Sequence, residues 1–169
     1  MINARDWLPE LVLFEDSGGD WSRYVEVLHK HFLNDFVRSK PLWPDKRFAL
    51  KRHPETDGKS ATFWHFISEG SIEKDRTPDL RRCERIRWPR PVIEQFPNKQ
   101  PEPSARILWW KEKRKSETRY ILTLNDFSYK VILADRGNYI LPWTAYLVEY
   151  ENARRKLQHK YKEFWKAPC

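Results

Sequence analysis

Cysteine is nearly absent from this 169-residue chain, which has only Cys83 and Cys169. Two thiols cannot build the disulfide framework of a small secreted domain or the four-thiolate site of a structural zinc, so a reducing compartment is the simplest expectation. Glycine is scarce, at 5 residues, which argues against long flexible linkers. No run of 18 apolar residues occurs, and the opening MINARDWLPELVLFEDSGGD carries carboxylates where a secretory signal needs a basic start and an apolar stretch. The chain reads as a soluble cytoplasmic protein with no membrane partner.

Proline is plentiful, at 12 residues, and hydrophobic residues make up 40% of the chain. That is enough to bury one core, so a single domain over 1–169 is expected, with a helical part at 1–44, a central part at 45–148 and a terminal helix at 149–169. Aromatics reach 15%, with nine Trp. These rings either fill a small two-layer core or stand partly exposed, where bases, sugars or apolar partner surfaces can stack on them. The net charge is +8, unevenly spread: residues 1–44 hold 5 Lys or Arg against 7 Asp or Glu, whereas residues 96–169 hold 15 against 8. Such asymmetry suits a polyanion, most often nucleic acid, and equally describes ordinary solvated basic surface.

Asp20 can cap a helix running to about Val37, since Trp21, Tyr24, Val25, Leu28, Phe32 and Phe36 recur at helical spacing. SKPLWPDK breaks it, RFALKR reads as a short strand, and GKSATFWHF leans towards helix. In DRTPDLRRCERIRWPRP, Thr77 as N-cap, Pro78 at the first helical position and stops at Pro89 and Pro91 predict a helix over 78–87. There Leu80 would pack on Cys83, and Arg81, Arg82 and Arg85 would form a basic stripe for nucleic acid.

From Ala105 to Val148 the period changes to that of strands. RILWWKEKR, TRYILTL, FSYKVILA and NYILPWTAYLV, with turn signals at 125–126 and 136–138, predict a four-stranded antiparallel sheet. Glu149–Trp165 shows Tyr150, Ala153, Leu157, Tyr161 and Phe164 on one helical face, predicting a helix that closes one side of the sheet. The fold class is therefore α+β, with helices packed on one sheet face. Alternation puts Tyr120, Leu122, Leu124, Phe127, Tyr129, Val131, Leu133, Leu141, Trp143, Ala145 and Leu147 on the core face. Arg119, Thr123, Ser128, Lys130, Thr144 and Tyr146, mixed with Ile121, Ile132 and Ile140, fall on the other. A cationic, hydroxyl-bearing, partly apolar face is what nucleotide binding needs; it is also what a solvated sheet face looks like.

The stretch RHPETDGKSATFWHF, Arg52–Phe66, crowds titratable residues and allows three readings. His53, Glu55, Asp57 and His65 could ligate a metal, although no helical His-x-x-x-His spacing sharpens that. They could be structural, with Asp57-Gly58 a turn and Glu55 paired to a neighbouring Arg. Or they could supply acid-base chemistry on RNA without metal, in which the ribose 2'-OH attacks, a base removes its proton, an acid protonates the leaving oxygen and cations hold the developing charge.

In its helix-then-four-strand order, its RHPE at Arg52–Glu55 followed by FWH, and its closing WTAY at Trp143–Tyr146, the chain resembles the barnase, EndoU, colicin and RelE-like superfamily of small ribonucleases, in particular the phage and mobile-element branches. The resemblance covers roughly residues 45–148. It implies a toxin- or effector-like RNA endonuclease that needs no metal or cofactor, with RNA as substrate and an inhibitor or antitoxin protein as partner. His53 or His65, assisted by Glu55, would meet Arg119, Thr144 and Tyr146 in the sheet's cleft, while Arg81, Arg82, Arg85 and Lys130 would hold nucleic acid. The alternative expectation is a non-catalytic nucleic-acid- or partner-binding protein of a phage or mobile element, with the same basic face.

Overall fold

The computed structural model describes residues 5–166. Helix α1 (Trp21–Leu33) begins where Asp20 accepts a hydrogen bond from the Arg23 amide at 3.1 Å and continues into a π-helical turn over Asn34–Arg38. Its buried face carries Tyr24, Val25, Leu28 and Phe32, extended by Phe36. Trp21, expected on that face, is 40% exposed, and its ring meets Phe14 at 6.3 Å and Tyr24 at 5.9 Å.

Strand β1 (Arg47–Phe48) is short. Helix α2 (Ala61–Ile67) starts at Ser60, whose hydroxyl accepts from the Phe63 amide, and buries every residue except Trp64, which is half-buried. The ambiguous GKSATFWHF is thus helical from Ala61 onwards, after the turn at Gly58 and Lys59. Strands β2 (Ser68–Glu69) and β3 (Thr77–Pro78) pair antiparallel as a small separate ribbon.

The predicted helix over 78–87 is corrected here. Thr77 and Pro78 belong to β3, and Asp79 caps α3 (Leu80–Glu84) by accepting from the Arg82 amide at 3.1 Å. An aspartate is at least as good a cap as threonine, and proline, lacking an N–H, is tolerated at a sheet edge. Pro89 and Pro91 do not stop a helix; they open α4 (Pro89–Glu94), where the first turn needs no amide donors. Cys83 is buried, but Leu80 is 46% exposed, so the expected pair does not form the helix's inner face.

Four long strands follow: β4 (Ile107–Arg114), β5 (Glu117–Leu124), β6 (Tyr129–Asp135) and β7 (Tyr139–Leu147). They form the expected antiparallel meander, but the sheet has a fifth strand, because β1 adds parallel to β7 in the order β1-β7-β6-β5-β4. The sheet is therefore mixed. Two residues carry too little pattern to announce a partner some ninety positions away.

Helices cover both faces of the sheet, not one. Against the first face, α1–α4 bury Trp109, Leu122, Val131, Leu133 and Ala145 in the main core. Against the second, Leu157 of α5 (Glu151–Phe164) packs with Trp110, Ile121 and Ile132. Of α5's predicted apolar face, Leu157 is buried and Ala153 and Tyr161 pack beside it, whereas Tyr150 is 73% exposed. At the far end, the Trp165 indole donates to the Trp109 carbonyl at 2.6 Å and ties the chain to the β4 edge.

A β-bulge changes the face assignment of β7. Ile132 pairs with Thr144 but Leu133 pairs with Pro142, leaving Trp143 as the extra residue. Parity reverses across it. Ile140 consequently joins the main core and Trp143 packs against the second one, the reverse of strict alternation. Phe127, which sits at a turn with φ 60° before β6 starts, also lies in the second core.

Candidate nucleic-acid interface

The part of the second sheet face that α5 leaves open is a groove of about 540 Å³. Strand register builds it: Glu112 pairs with Arg119 across β4 and β5, Ile121 with Ile132 across β5 and β6, and Lys130 with Tyr146 across β6 and β7. Side chains directly opposite on an antiparallel ladder share a face, so Glu112, Arg119, Ile121, Lys130, Ile132 and Tyr146 all line the groove. The β4–β5 hairpin adds Lys113 and Arg114, and α5 adds Lys160.

Ion pairs and ring contacts hold these groups. Lys160 bonds Glu112 at 2.9 Å. Burial, the largest single influence, would raise the Glu112 carboxyl, but the Lys160 ammonium, the Trp110 indole and Lys130 together hold the group below the usual range. Arg119 bonds Glu117 at 2.9 Å and lies 5.0 Å over the Trp143 ring. The Arg82 guanidinium and the Lys130 ammonium approach the Tyr146 ring at 4.7 and 5.6 Å.

Arg119, Lys130 and Tyr146 therefore stand together in the groove, as their alternation implied. Thr144 lies on the same face, but it is 9% exposed and its hydroxyl accepts from Arg82 at 3.1 Å and donates to the His65 carbonyl at 3.0 Å. The arginine stripe on α3 is dispersed. Arg81 points to solvent and bonds Glu84 at 3.2 Å, Arg85 is buried against Glu84 and Trp88, and Arg82 turns inward to Ser68, Thr144 and Tyr146. A five-residue helix has no room for an exposed stripe.

Neither histidine lines the groove. His53 is exposed on the loop before α2. His65 is 3% exposed, its Nε2 lies 2.9 and 3.0 Å from the Glu73 carboxylate, and its ring meets Trp143 edge-on at 5.1 Å. Burial lowers the His65 pKa despite that carboxylate. Glu55 pairs with Arg52 at 2.5 Å, and Asp57 and Gly58, with φ 51° and 72°, make the tight turn that Thr56 and Lys59 close by mutual backbone bonds. Among the described residues, no group of three or more His, Cys, Asp or Glu is placed to hold a metal. Cys83 is buried, which pushes its thiol up to about 12; Cys169 lies outside the described residues.

The groove residues that sequence reasoning missed are Glu112, Lys113, Arg114 and Lys160. The hairpin turn at Lys115 and Ser116 carried the signal for the first three, because it sets Glu112 opposite Arg119. Comparison of the chain with protein-family models, curated proteins and solved structures finds no match. No helix among the described residues is long and apolar enough to cross a membrane.

Proposed function

We propose that the protein binds single-stranded RNA through the groove on the second sheet face. The observation that carries this reading is the convergence of Lys113, Arg114, Arg119, Lys130 and Lys160 on one concavity whose floor is Ile121, Ile132 and Tyr146. Cations along a groove neutralise phosphates and release counterions, while an apolar floor accepts sugars and base faces. The affinity for a short RNA, followed by fluorescence anisotropy over a salt series, should fall with a log-log slope of several units, about 0.7 for each phosphate neutralised. Arg119→Ala combined with Lys130→Ala should weaken binding and reduce that slope by about one to two. A salt-independent affinity would remove the proposal.

A second reading, metal-independent cleavage by 2'-OH attack as in the ribonucleases the sequence resembles, is favoured by one observation. The Glu112 carboxylate and the Tyr146 phenol line the same groove as Arg119 and Lys130. Glu112, held ionised by Lys160, has the protonation state a base requires, and the cations suit a charged phosphorane. Total RNA incubated with the protein and EDTA should then yield defined ends, and Glu112→Gln should lower the cleavage rate about 10²–10⁴-fold while RNA binding persists.

A further inference from the structure

Helix α5 has a water-facing side that the groove does not use. From Glu151 to Phe164 it holds five Lys or Arg against two Glu. With 3.6 residues per turn, Arg155, His159 and Lys162 fall opposite the buried Leu157, and Lys156 falls between that row and Lys160. Arg155, Lys156, His159 and Lys162 are all exposed. Lys160 lines the groove, and Lys156 lies one turn from it, about 6 Å along the axis at 1.5 Å per residue. The outer row is therefore continuous with the groove's cations.

Ion pairing does not account for these charges. Arg155 meets Glu151 only at 3.7 Å, with both side chains mostly exposed, a contact worth little in water. Lys156 and Lys162 pair with no carboxylate among the described residues. Lys156 and Lys160 stand at a spacing where like charges destabilise a helix, and α5 is held to the sheet by one buried apolar residue, Leu157. A polyanion laid along the row would relieve that repulsion.

We infer that the outer face of α5 holds the phosphates of a base-paired RNA stem, so that the RNA taken by the groove is a single strand joined to a stem. The inference rests on the RNA-binding reading of the groove, because the strand leaving the groove past Lys160 meets Lys156 and the outer row within one helical turn.

The choice of a stem follows from what the row offers. It has cations and one small ring, His159, but no phenol or indole on which an unpaired base could stack. The helix's larger rings are turned inward or lie at its ends: Tyr161 meets Trp110 at 6.3 Å and Phe127 at 6.1 Å, Phe164 meets Trp165 at 4.9 Å, and the exposed Tyr150 is the N-cap. Single strands are held by stacking platforms beside cations, as in the groove, whereas a duplex keeps its bases inside and is held through its phosphates and its shape. An anionic membrane fits less well. A helix lying on a bilayer inserts an apolar face, and the apolar stripe of α5 is already spent on Trp110, Ile121 and Ile132.

The test compares an all-uridine RNA with an RNA of the same length, half of it all-uridine and half folded into a hairpin stem, by anisotropy with the full chain. The stem should raise affinity about tenfold or more and steepen the salt slope by about two, at about 0.7 to 0.9 for each phosphate neutralised. A variant combining Arg155→Gln, Lys156→Gln and Lys162→Gln leaves Lys160 in place. It should lose that gain, keep the all-uridine affinity and melt no lower than the parent, because glutamine is a comparable helix former and the repulsion is relieved. Equal affinities of the wild-type protein for the two RNAs, with salt-dependent binding intact, would overturn the stem site and leave the groove reading standing. A gain that the variant retains would also overturn it. Binding to vesicles of phosphatidylcholine and phosphatidylserine that the variant loses, with no gain from the stem, would assign the row to a membrane instead. If the all-uridine RNA does not bind, the groove reading fails and the stem alone decides: binding that the variant loses supports the α5 surface, and no binding overturns it.

Discussion

Phe63 and His53 stand ten positions apart in one crowded stretch and have opposite surroundings. Phe63 is fully buried, with ring centroids of His29 at 4.9 Å, Trp64 at 5.2 Å and Phe32 at 5.5 Å. Phe63→Ala should therefore cost about 3–5 kcal/mol of stability in denaturant titrations. His53 is exposed, and His53→Ala should stay within about 0.5 kcal/mol of the parent protein. Equal losses in the two variants would show that the loop before α2 is packed in a way these surroundings do not describe. The crowding itself has a structural cause. Lys59, with a side chain 8% exposed, reaches Glu26 of α1 at 2.7 Å, Ser60 caps α2, Trp64 braces the Thr56 carbonyl, and His65 holds Glu73. Those contacts dock the turn onto two helices and at the same time shape one wall of the cavity of about 460 Å³ beside α2.

Among the elements, α5 has the most consequence for its size. It is strongly polar and has one buried apolar residue, Leu157, yet it covers Trp110, Ile121 and Ile132 and delivers Lys160 to Glu112. A helix with so narrow an apolar stripe depends on that contact to stay docked. Leu157→Ala should cost about 2–5 kcal/mol in denaturant titrations, whereas Tyr150→Ala, at a side chain 73% exposed, should be close to neutral. A neutral Leu157→Ala would mean that α5 is held by its terminal Trp165 contact instead. The bulge at Trp143 is the other decisive local feature: without it, the ring would turn into the main core and Arg119 and His65 would lose their shared platform.

For the molecule as a whole, buried ionisable groups set the response to acid. His29, His31 and His65 all have pKa values lowered by burial, with weaker neighbouring charges added. In the unfolded chain, these rings take up protons near their ordinary 6.5, while in the native state they do not. Stability is therefore lost as pH falls through about 6.5 and continues to fall until the native rings protonate. Asp35 acts in the opposite sense. Burial pushes its carboxyl up from 3.8 to about 6, so below about 6 the native state holds a proton that the unfolded chain lacks, and stability is gained as pH falls towards 4. From pH 7 to about pH 5 three groups oppose one and begin at higher pH, so the melting temperature should drop between about pH 7 and pH 6 and fall less steeply from there to about pH 5. At lower pH Glu112 and Asp135, whose native carboxyls are held low, despite burial, by Lys160 and Lys46, add a loss of their own. A rise over the first interval would contradict this balance.

What could be read directly from the chain was what neighbours along it decide. The Asp20 cap and the 3.6-residue period placed α1, the turn residues and the two-residue period placed β4–β7, and the same alternation gathered Arg119, Lys130 and Tyr146 on one face. These are interactions over two to four positions, and their pattern survives in the text. The pairing of β1 with β7, the reversal at Trp143, the docking of α5 on the second face and the His65–Glu73 pair join segments whose approach depends on packing among many side chains at once. No local period encodes such a contact. The predicted 78–87 helix shows the boundary between the two: Thr77, Pro78 and Asp79 form a sound local start signal, yet pairing of Thr77 and Pro78 with Ser68 and Glu69 moved the cap to Asp79, since a strand partner satisfies backbone groups that a helix start would leave open.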